Sequence, residues 1–147
     1  MTDKLILTDV DGVVLNWERH FHDYMREHGH WRDPSVPEGY WKELNYPRIS
    51  GEETRQMVVH YNTSAWMMEV PAFRDAISGI ARFKEAGWKF HAITAMGTDP
   101  YSKLARQYNL DWEFGEGLFQ LTCTDMYDPD SKRSVLEQYE GTGMPWF

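Results

Sequence analysis

The sequence predicts an α/β fold: a three-layer, Rossmann-like parallel sheet carrying a small helical insertion. Three observations predict it. Short apolar runs alternate with amphipathic stretches, the order of a parallel sheet wrapped by helices. The apolar runs, at residues 4–9, 88–94 and 118–124, have strand length and are bounded by turn residues. Residues 17 to about 70 then separate the first strand from the helix that leads to the second, too many for a simple crossover.

The elements follow in order. Leu5 to Leu7 reads as the buried part of a first strand. Trp17, Phe21, Tyr24 and Met25 recur at helical spacing and predict a helix over 17–29. Pro34, Pro37 and Pro47, with glycine and serine between them, predict an irregular loop over 32–50. Ser50 and Glu53 form a capping-box signature for a helix over 52–61. A short helix is expected over 63–70. After Pro71, the spacing of Phe73, Ala76, Ile77, Ile80 and Phe83, closed by Gly87, predicts a clear amphipathic helix. Strands over 88–94 and 118–124 flank a helix over 101–108, and a last helix spans 131–139. The expected division is therefore a core of residues 1–16 and 71–147 and a helical cap of residues 17–70.

The 147 residues suit one domain with a small lobe, and 41% hydrophobic content supplies an ample core. A formal charge of −8 argues against a nucleic-acid polymer as partner, because phosphate backbones call for a basic face. A small anionic substrate stays compatible if a metal or local donors offset the charge. Cys123 is the single cysteine, so no internal disulfide forms; its strand-like setting predicts a buried structural thiol rather than a catalytic one. No signal peptide is evident, and no segment approaches the ~20 apolar residues of a membrane span. A cytoplasmic location and no membrane partner are the expectation.

The functional signal sits at the first strand's carboxyl end. Asp9-Val10-Asp11-Gly12 delivers two carboxylates, which point the same way in extended chain, followed by a glycine that permits a tight turn. Two like charges this close repel, and a cation or a shared proton relieves them. In open α/β sheets ligands sit beyond the carboxyl ends of strands, which places Asp9, Asp11 and the Thr94–Gly97 turn on one rim. The pairs His20/His22 and His28/His30 suit a transition metal by residue type, but surface histidines on a cap helix are the plainer reading. Trp17, Trp41 and Trp66 are candidates to line a substrate pocket; the remaining tryptophans read as packing.

Asp9-Val10-Asp11-Gly12-Val13-Val14 resembles the first motif of the haloacid dehalogenase (HAD) superfamily. Ala92-Ile93-Thr94 resembles its second motif, an apolar strand ending in Thr or Ser, and Lys132 stands where the family places a motif-three lysine, with Lys103 in reserve. The insert after motif one resembles the C1-type cap of small deoxyribonucleotidase-like phosphatases. The resemblance implies that Asp9 is the nucleophile, forming an aspartyl-phosphate, and that Asp11 is the general acid and base. It implies that Thr94, the Ala95 amide and Lys132 bind phosphate. It also implies Mg²⁺ on the Asp9 carboxylate and the Asp11 carbonyl, a hard cation suited to oxygen ligands.

One part of the family pattern is missing. An acidic pair should end the next strand, whereas residues 143–147 read Gly-Met-Pro-Trp-Phe. That tail resembles the start of the strand in question, so a shortened chain, an incomplete reading frame or a degenerate member is expected. Asp125, Asp128 and Asp130 follow the third strand, which the resemblance implies lies two strand positions from the first, about 10 Å away at ~4.8 Å per strand. They would have to fold back to replace the missing acids. The reading is a Mg²⁺-dependent phosphomonoesterase acting on a small phosphorylated metabolite, a nucleoside monophosphate favoured. The alternatives are a non-catalytic HAD-fold binding or interaction protein and phosphotransfer to an acceptor other than water. The oligomeric state is left open, although an unfinished sheet edge at 144–147 invites strand pairing with another chain.

Overall fold

The computed structural model describes residues 4–39 and 42–147. Trp41, a candidate pocket residue, lies outside the described residues. Three strands form one parallel sheet in the order β1 (Leu5–Thr8), β2 (Lys89–Ala95), β3 (Phe119–Thr124). The register pairs Thr8 with Ala92 and Ala95 with Thr124. On the free side of β1 the tail adds a short parallel bridge between Leu7 and Trp146. Its bonds run from Leu7 N–H to the Pro145 carbonyl and from Asp9 N–H to the Phe147 carbonyl, each 2.9 Å.

β2 shows why the sheet is layered. Its side chains alternate between two faces, so Phe90 packs toward Phe83 and Phe119. His91 points to the other face, bonded to the Tyr139 hydroxyl at 2.5 Å and the Thr122 hydroxyl at 2.8 Å. The first face is covered by α4 (Arg74–Glu85) and α5 (Pro100–Phe114), the second by α6 (Ser131–Leu136) and a 3₁₀ turn at Glu137–Tyr139. α4 ends as the sequence predicts: Gly87 takes φ +83°, and Trp88 N–H returns to the Phe83 carbonyl at 2.9 Å.

Residues 17–70 hold α1 (Trp17–Glu27), α2 (Lys42–Asn45), α3 (Gly51–Asn62) and a 3₁₀ turn at Ala65–Met68. The capping box is complete: Ser50 Oγ accepts from Glu53 N–H at 3.1 Å, and Glu53 accepts from Ser50 N–H at 2.7 Å. An aromatic cluster packs the segment. Trp17 stacks on Phe21 at 5.0 Å, and the fully buried Phe21 meets Tyr46 and Tyr61 edge-on at 6.1 and 5.4 Å. Burying such a ring contributes roughly 1.5–3 kcal/mol. The chain leaves and re-enters the sheet region side by side, with Asn16 N–H on the Pro71 carbonyl at 2.8 Å and Phe73 N–H on the Val14 carbonyl at 3.0 Å.

Four local expectations need correction. The 32–50 loop contains the one-turn helix α2. The helix expected over 63–70 is only a 3₁₀ turn, because Ser64 Oγ caps Trp66 N–H at 3.3 Å and the chain straightens toward Pro71. The helix expected over 101–108 runs on to Phe114, since Asn109 is buried and donates to the Val70 carbonyl at 2.9 Å rather than breaking the helix. His20 and His22 are not simple surface groups. Their Nδ1 atoms meet the hydroxyls of Tyr61 at 2.8 Å and Tyr46 at 2.5 Å, and burial lowers both pKa values.

Candidate functional site

β1 carries Asp9 and Asp11 out onto the rim, where a turn takes over. Val14 and Leu15 N–H both point at the Val10 carbonyl, at 2.9 and 3.0 Å. Gly12 sits at φ +79°, a conformation that costs other residues more. This turn separates the environments of the two carboxylates.

Asp9 is gripped on both oxygens. Oδ1 accepts from Val10 N–H at 2.7 Å and Oδ2 from Lys132 Nζ at 2.6 Å. Its side chain stays 29% exposed. Lys132 reaches it because the loop before α6 is tightly wound. Asp125 accepts from Tyr127 N–H, Asp128 accepts from Asp130 N–H, and Ser131 Oγ donates to the Asp125 carbonyl. Lys103, the reserve lysine, is an exposed residue of α5.

Asp11 faces a residue that sequence reasoning missed. Its Oδ1 lies 2.7 Å from Nη2 of Arg106, whose side chain is fully buried. Arg106 Nε donates to Met96 Sδ at 3.5 Å, and Nη1 has no hydrogen-bond partner among the described residues. Burial pushes the Asp11 pKa up and Asp9 adds to the rise; Arg106 and Lys132 offset part of it. A signal was available: Arg106 falls on the helix face shared by Ser102, Ala105, Asn109 and Leu110, all buried.

Thr94 and Ala95 end β2 on the same rim. Continuing the register beyond Thr8 and Ala92 sets Thr94 level with Val10. Thr94 is only 1% exposed, and its carbonyl accepts from Thr124 Oγ1 at 3.4 Å. Ala95, Asp11 and Gly12 floor a cleft of about 840 Å³. Residues from the 17–70 segment form the opposite wall, including Trp17, Arg19, Val58 and Asn62. Trp17 Nε1 donates to Asn62 Oδ1 at 2.9 Å, which fixes the ring beside the cleft. Trp66 instead packs against Tyr24 at 5.5 Å and is not part of the cleft wall. Lys42 and Arg55, also on the wall, are paired with Glu18 and with Glu43 and Glu52. Arg19 has no carboxylate partner among the described residues.

Cys123 is half-buried, and burial pushes its thiol up to about 11, which leaves it unreactive near neutrality. Among the described residues, no three His, Cys, Asp or Glu side chains gather as a metal cluster. Asp125 and Asp128 are spent on their own loop, and Asp130 faces Arg133 at 3.6 Å. No helix of the described residues is long and apolar enough to cross a membrane.

No family profile matches the chain. A hydrolase from Streptococcus pneumoniae TIGR4 superposes with a TM-score of 0.50 at 12% identity, over 95% of this chain and 79% of that one. A HAD family hydrolase from Deinococcus radiodurans R1, with bound phosphate and sodium, gives 0.45 at 15% identity, over 93% and 67%. The chain shares with the Streptococcus hydrolase an α/β fold with a parallel sheet wrapped by helices. At such identities the likeness is one of fold. In sequence, an uncharacterized 32.4 kDa protein of Enterobacteria phage T4, from the Gp30-rIII intergenic region, is 27% identical over 110 residues. That alignment covers 72% of this chain and 39% of the T4 protein, so the match spans well under half the length of that relative.

Proposed function

We propose that this HAD-like chain hydrolyses phosphomonoesters of small metabolites through an aspartyl-phosphate on Asp9. The observation that carries the reading is the division of labour at the rim. One carboxylate is aligned by an amide and a lysine, and the other, two residues on, faces the cleft with its pKa raised.

In this reading Asp9 attacks phosphorus, and the P–O bond to the leaving group breaks. Its hold on Val10 N–H and Lys132 presents the carboxylate in one orientation. Asp11 gives its proton to the departing oxygen and then takes one from the water that cleaves the acyl-phosphate. A raised pKa suits a group that must enter the reaction protonated, and such transfer contributes ~10²–10⁴-fold. Lys132 offsets charge beside Asp9, while the Thr94 hydroxyl and Ala95 amide are the proposed phosphate donors.

The donor set suits Mg²⁺ in a sparing way. It offers the Asp9 carboxylate and the Asp11 carbonyl, and Mg²⁺ commonly keeps its waters and draws on substrate phosphate. When bound, the ion would neutralise phosphate charge during transfer. The cleft volume falls within the ~300–1,000 Å³ typical of small-ligand pockets. Trp17 supplies an aromatic surface and Arg19 a cation with no carboxylate partner among the described residues. These features support a substrate larger than phosphate itself, a nucleoside monophosphate being favoured.

The test is hydrolysis of an aryl phosphate and a nucleotide panel with and without Mg²⁺, with Asp9→Asn as control. Activity confined to the unsubstituted chain supports the assignment; equal activity in both removes Asp9 as nucleophile. A second reading, a non-catalytic HAD-fold binding protein, is favoured by the absence of a three-carboxylate cluster among the described residues. Calorimetry with Mg²⁺ and a phosphate mimic separates the two, because no heat of metal binding favours the second.

A further inference from the structure

We propose that Arg106 is a positioning residue for proton transfer: from beneath the rim it holds Asp11 so that a single oxygen, Oδ2, serves the leaving group and then the water. This rests on the aspartyl-phosphate reading above. Nη2 of Arg106 stands 2.7 Å from Asp11 Oδ1. That oxygen is sealed from solvent, although the Asp11 side chain as a whole is 25% exposed and lines the cleft. Oδ2 is therefore the oxygen that meets the cleft. The backbone around Asp11 is fixed independently, by Gly12 N–H on the Leu15 carbonyl at 2.9 Å and by the amides that converge on the Val10 carbonyl. Turn and guanidinium restrain the carboxyl from both ends.

Arg106 is poorly accounted for as a structural group. It is wholly buried, yet Nη1 has no hydrogen-bond partner among the described residues, and Nε donates to Met96 Sδ at 3.5 Å, a weak acceptor. Asp11 is its one carboxylate partner among the described residues. Replacing a buried ion pair by apolar groups of similar volume is often neutral or stabilising, so packing gives no reason for an arginine here. What the guanidinium supplies is a fixed cation against one oxygen of Asp11. α5 is anchored on either side of it: Asp99 accepts from Ser102 N–H at 2.9 Å, and Asn109 donates to the Val70 carbonyl at 2.9 Å.

In the first step an Asp9 oxygen bonds to phosphorus, the P–O bond to the leaving group breaks, and the proton on Asp11 Oδ2 passes to the departing oxygen. In the second, Asp11 Oδ2 takes a proton from water, whose oxygen bonds to phosphorus as the bond from phosphorus to Asp9 breaks. Both transfers need Oδ2 in line with one oxygen position, and a misplacement of about 1 Å can cost 10²-fold. Between the two steps Asp11 is an anion, and Arg106 offsets its charge from the Oδ1 side, away from the cleft.

The test compares kcat/KM for an alkyl phosphate, whose leaving oxygen needs a proton, with kcat/KM for dinitrophenyl phosphate, whose leaving group departs unaided. This constant reports events up to release of the first product, so the later water step does not mask them. Arg106→Met should lower the alkyl value about 10²-fold and the dinitrophenyl value only about threefold. Arg106→Lys keeps a cation without the planar fork; it should show a smaller split of the same sense, about tenfold on the alkyl phosphate. The lysine variant decides the matter if Arg106→Met does not fold. In an Asp11→Asn background, Arg106→Met should add nothing to the alkyl loss, because both changes act on one proton. Equal falls for the two substrates, or additive losses in the double variant, overturn the proposal and leave Asp9 as nucleophile. An unsubstituted chain that hydrolyses neither substrate overturns the phosphomonoesterase reading, and this proposal with it.

Discussion

Replacing Asp11 should destabilise this protein far more than replacing Asp9, although both are proposed site carboxylates. Arg106 is wholly buried, and its guanidinium lies 2.7 Å from Asp11 Oδ1. Removing one partner of a buried ion pair leaves an uncompensated charge and costs roughly 3–5 kcal/mol. Asp11 is itself 25% exposed, so cleft water relieves part of this and the low end, about 3 kcal/mol, is expected for Asp11→Ala. For a chain of this size that corresponds to a melting temperature lower by roughly 6–12 °C. Asp9 and Lys132 are 29% and 27% exposed, and such a pair contributes about 1 kcal/mol or less. Differential scanning fluorimetry and urea unfolding of Asp11→Ala, Asp9→Ala and Arg106→Met, with the double variant Asp11→Leu/Arg106→Met, provide the comparison. The double variant should be more stable than Asp11→Ala, because the buried charge has gone with its partner. Equal losses for the two aspartates, or an Asp11→Ala protein as stable as the parent, would refute the reasoning.

Three further outcomes are expected. Lys132→Met should lower kcat/KM for an aryl phosphate by about 10²-fold, as loss of a charge-stabilising donor does, while Lys103→Met leaves it unchanged. Stability should decline as pH falls below about 6.5: burial depresses the pKa of His20, His22 and His91, so the unfolded chain takes up their protons first. The pH dependence of urea unfolding checks this, and His91→Asn should flatten it. Ser50→Ala should cost about 1 kcal/mol by opening the cap of α3, read as a melting temperature lower by roughly 2–4 °C.

The legible parts of this molecule are those where local chemistry agrees with the tertiary result. β1 is an apolar run followed by a glycine turn, α4 is a regular amphipathic repeat ended by Gly87, and α3 opens on a complete capping box. The strand order, and the tail as a further strand, are expected from the resemblance to a known family rather than from local pattern. The obscure parts are those where a polar residue is buried. Arg106 and Asn109 are polar types that carry no core signal in the sequence, yet one lies beneath Asp11 and the other ties α5 to the Val70 carbonyl. Neither leaves an apolar period to read, because each meets a partner far away in sequence. His20 and His22 were obscure for the same reason, since a tyrosine hydroxyl more than twenty positions away does not show in local pattern.

The hydrogen bonds between Leu7, Asp9 and residues 145–147 join positions 139 apart, counting from Leu7 to Trp146. During synthesis, then, the outer flank of β1 waits with bare amides and carbonyls while almost everything that packs around it is being made. An apolar segment left open in that way is prone to pair with a neighbouring nascent chain. Recovery of native protein should therefore depend on chaperone supply and on translation speed.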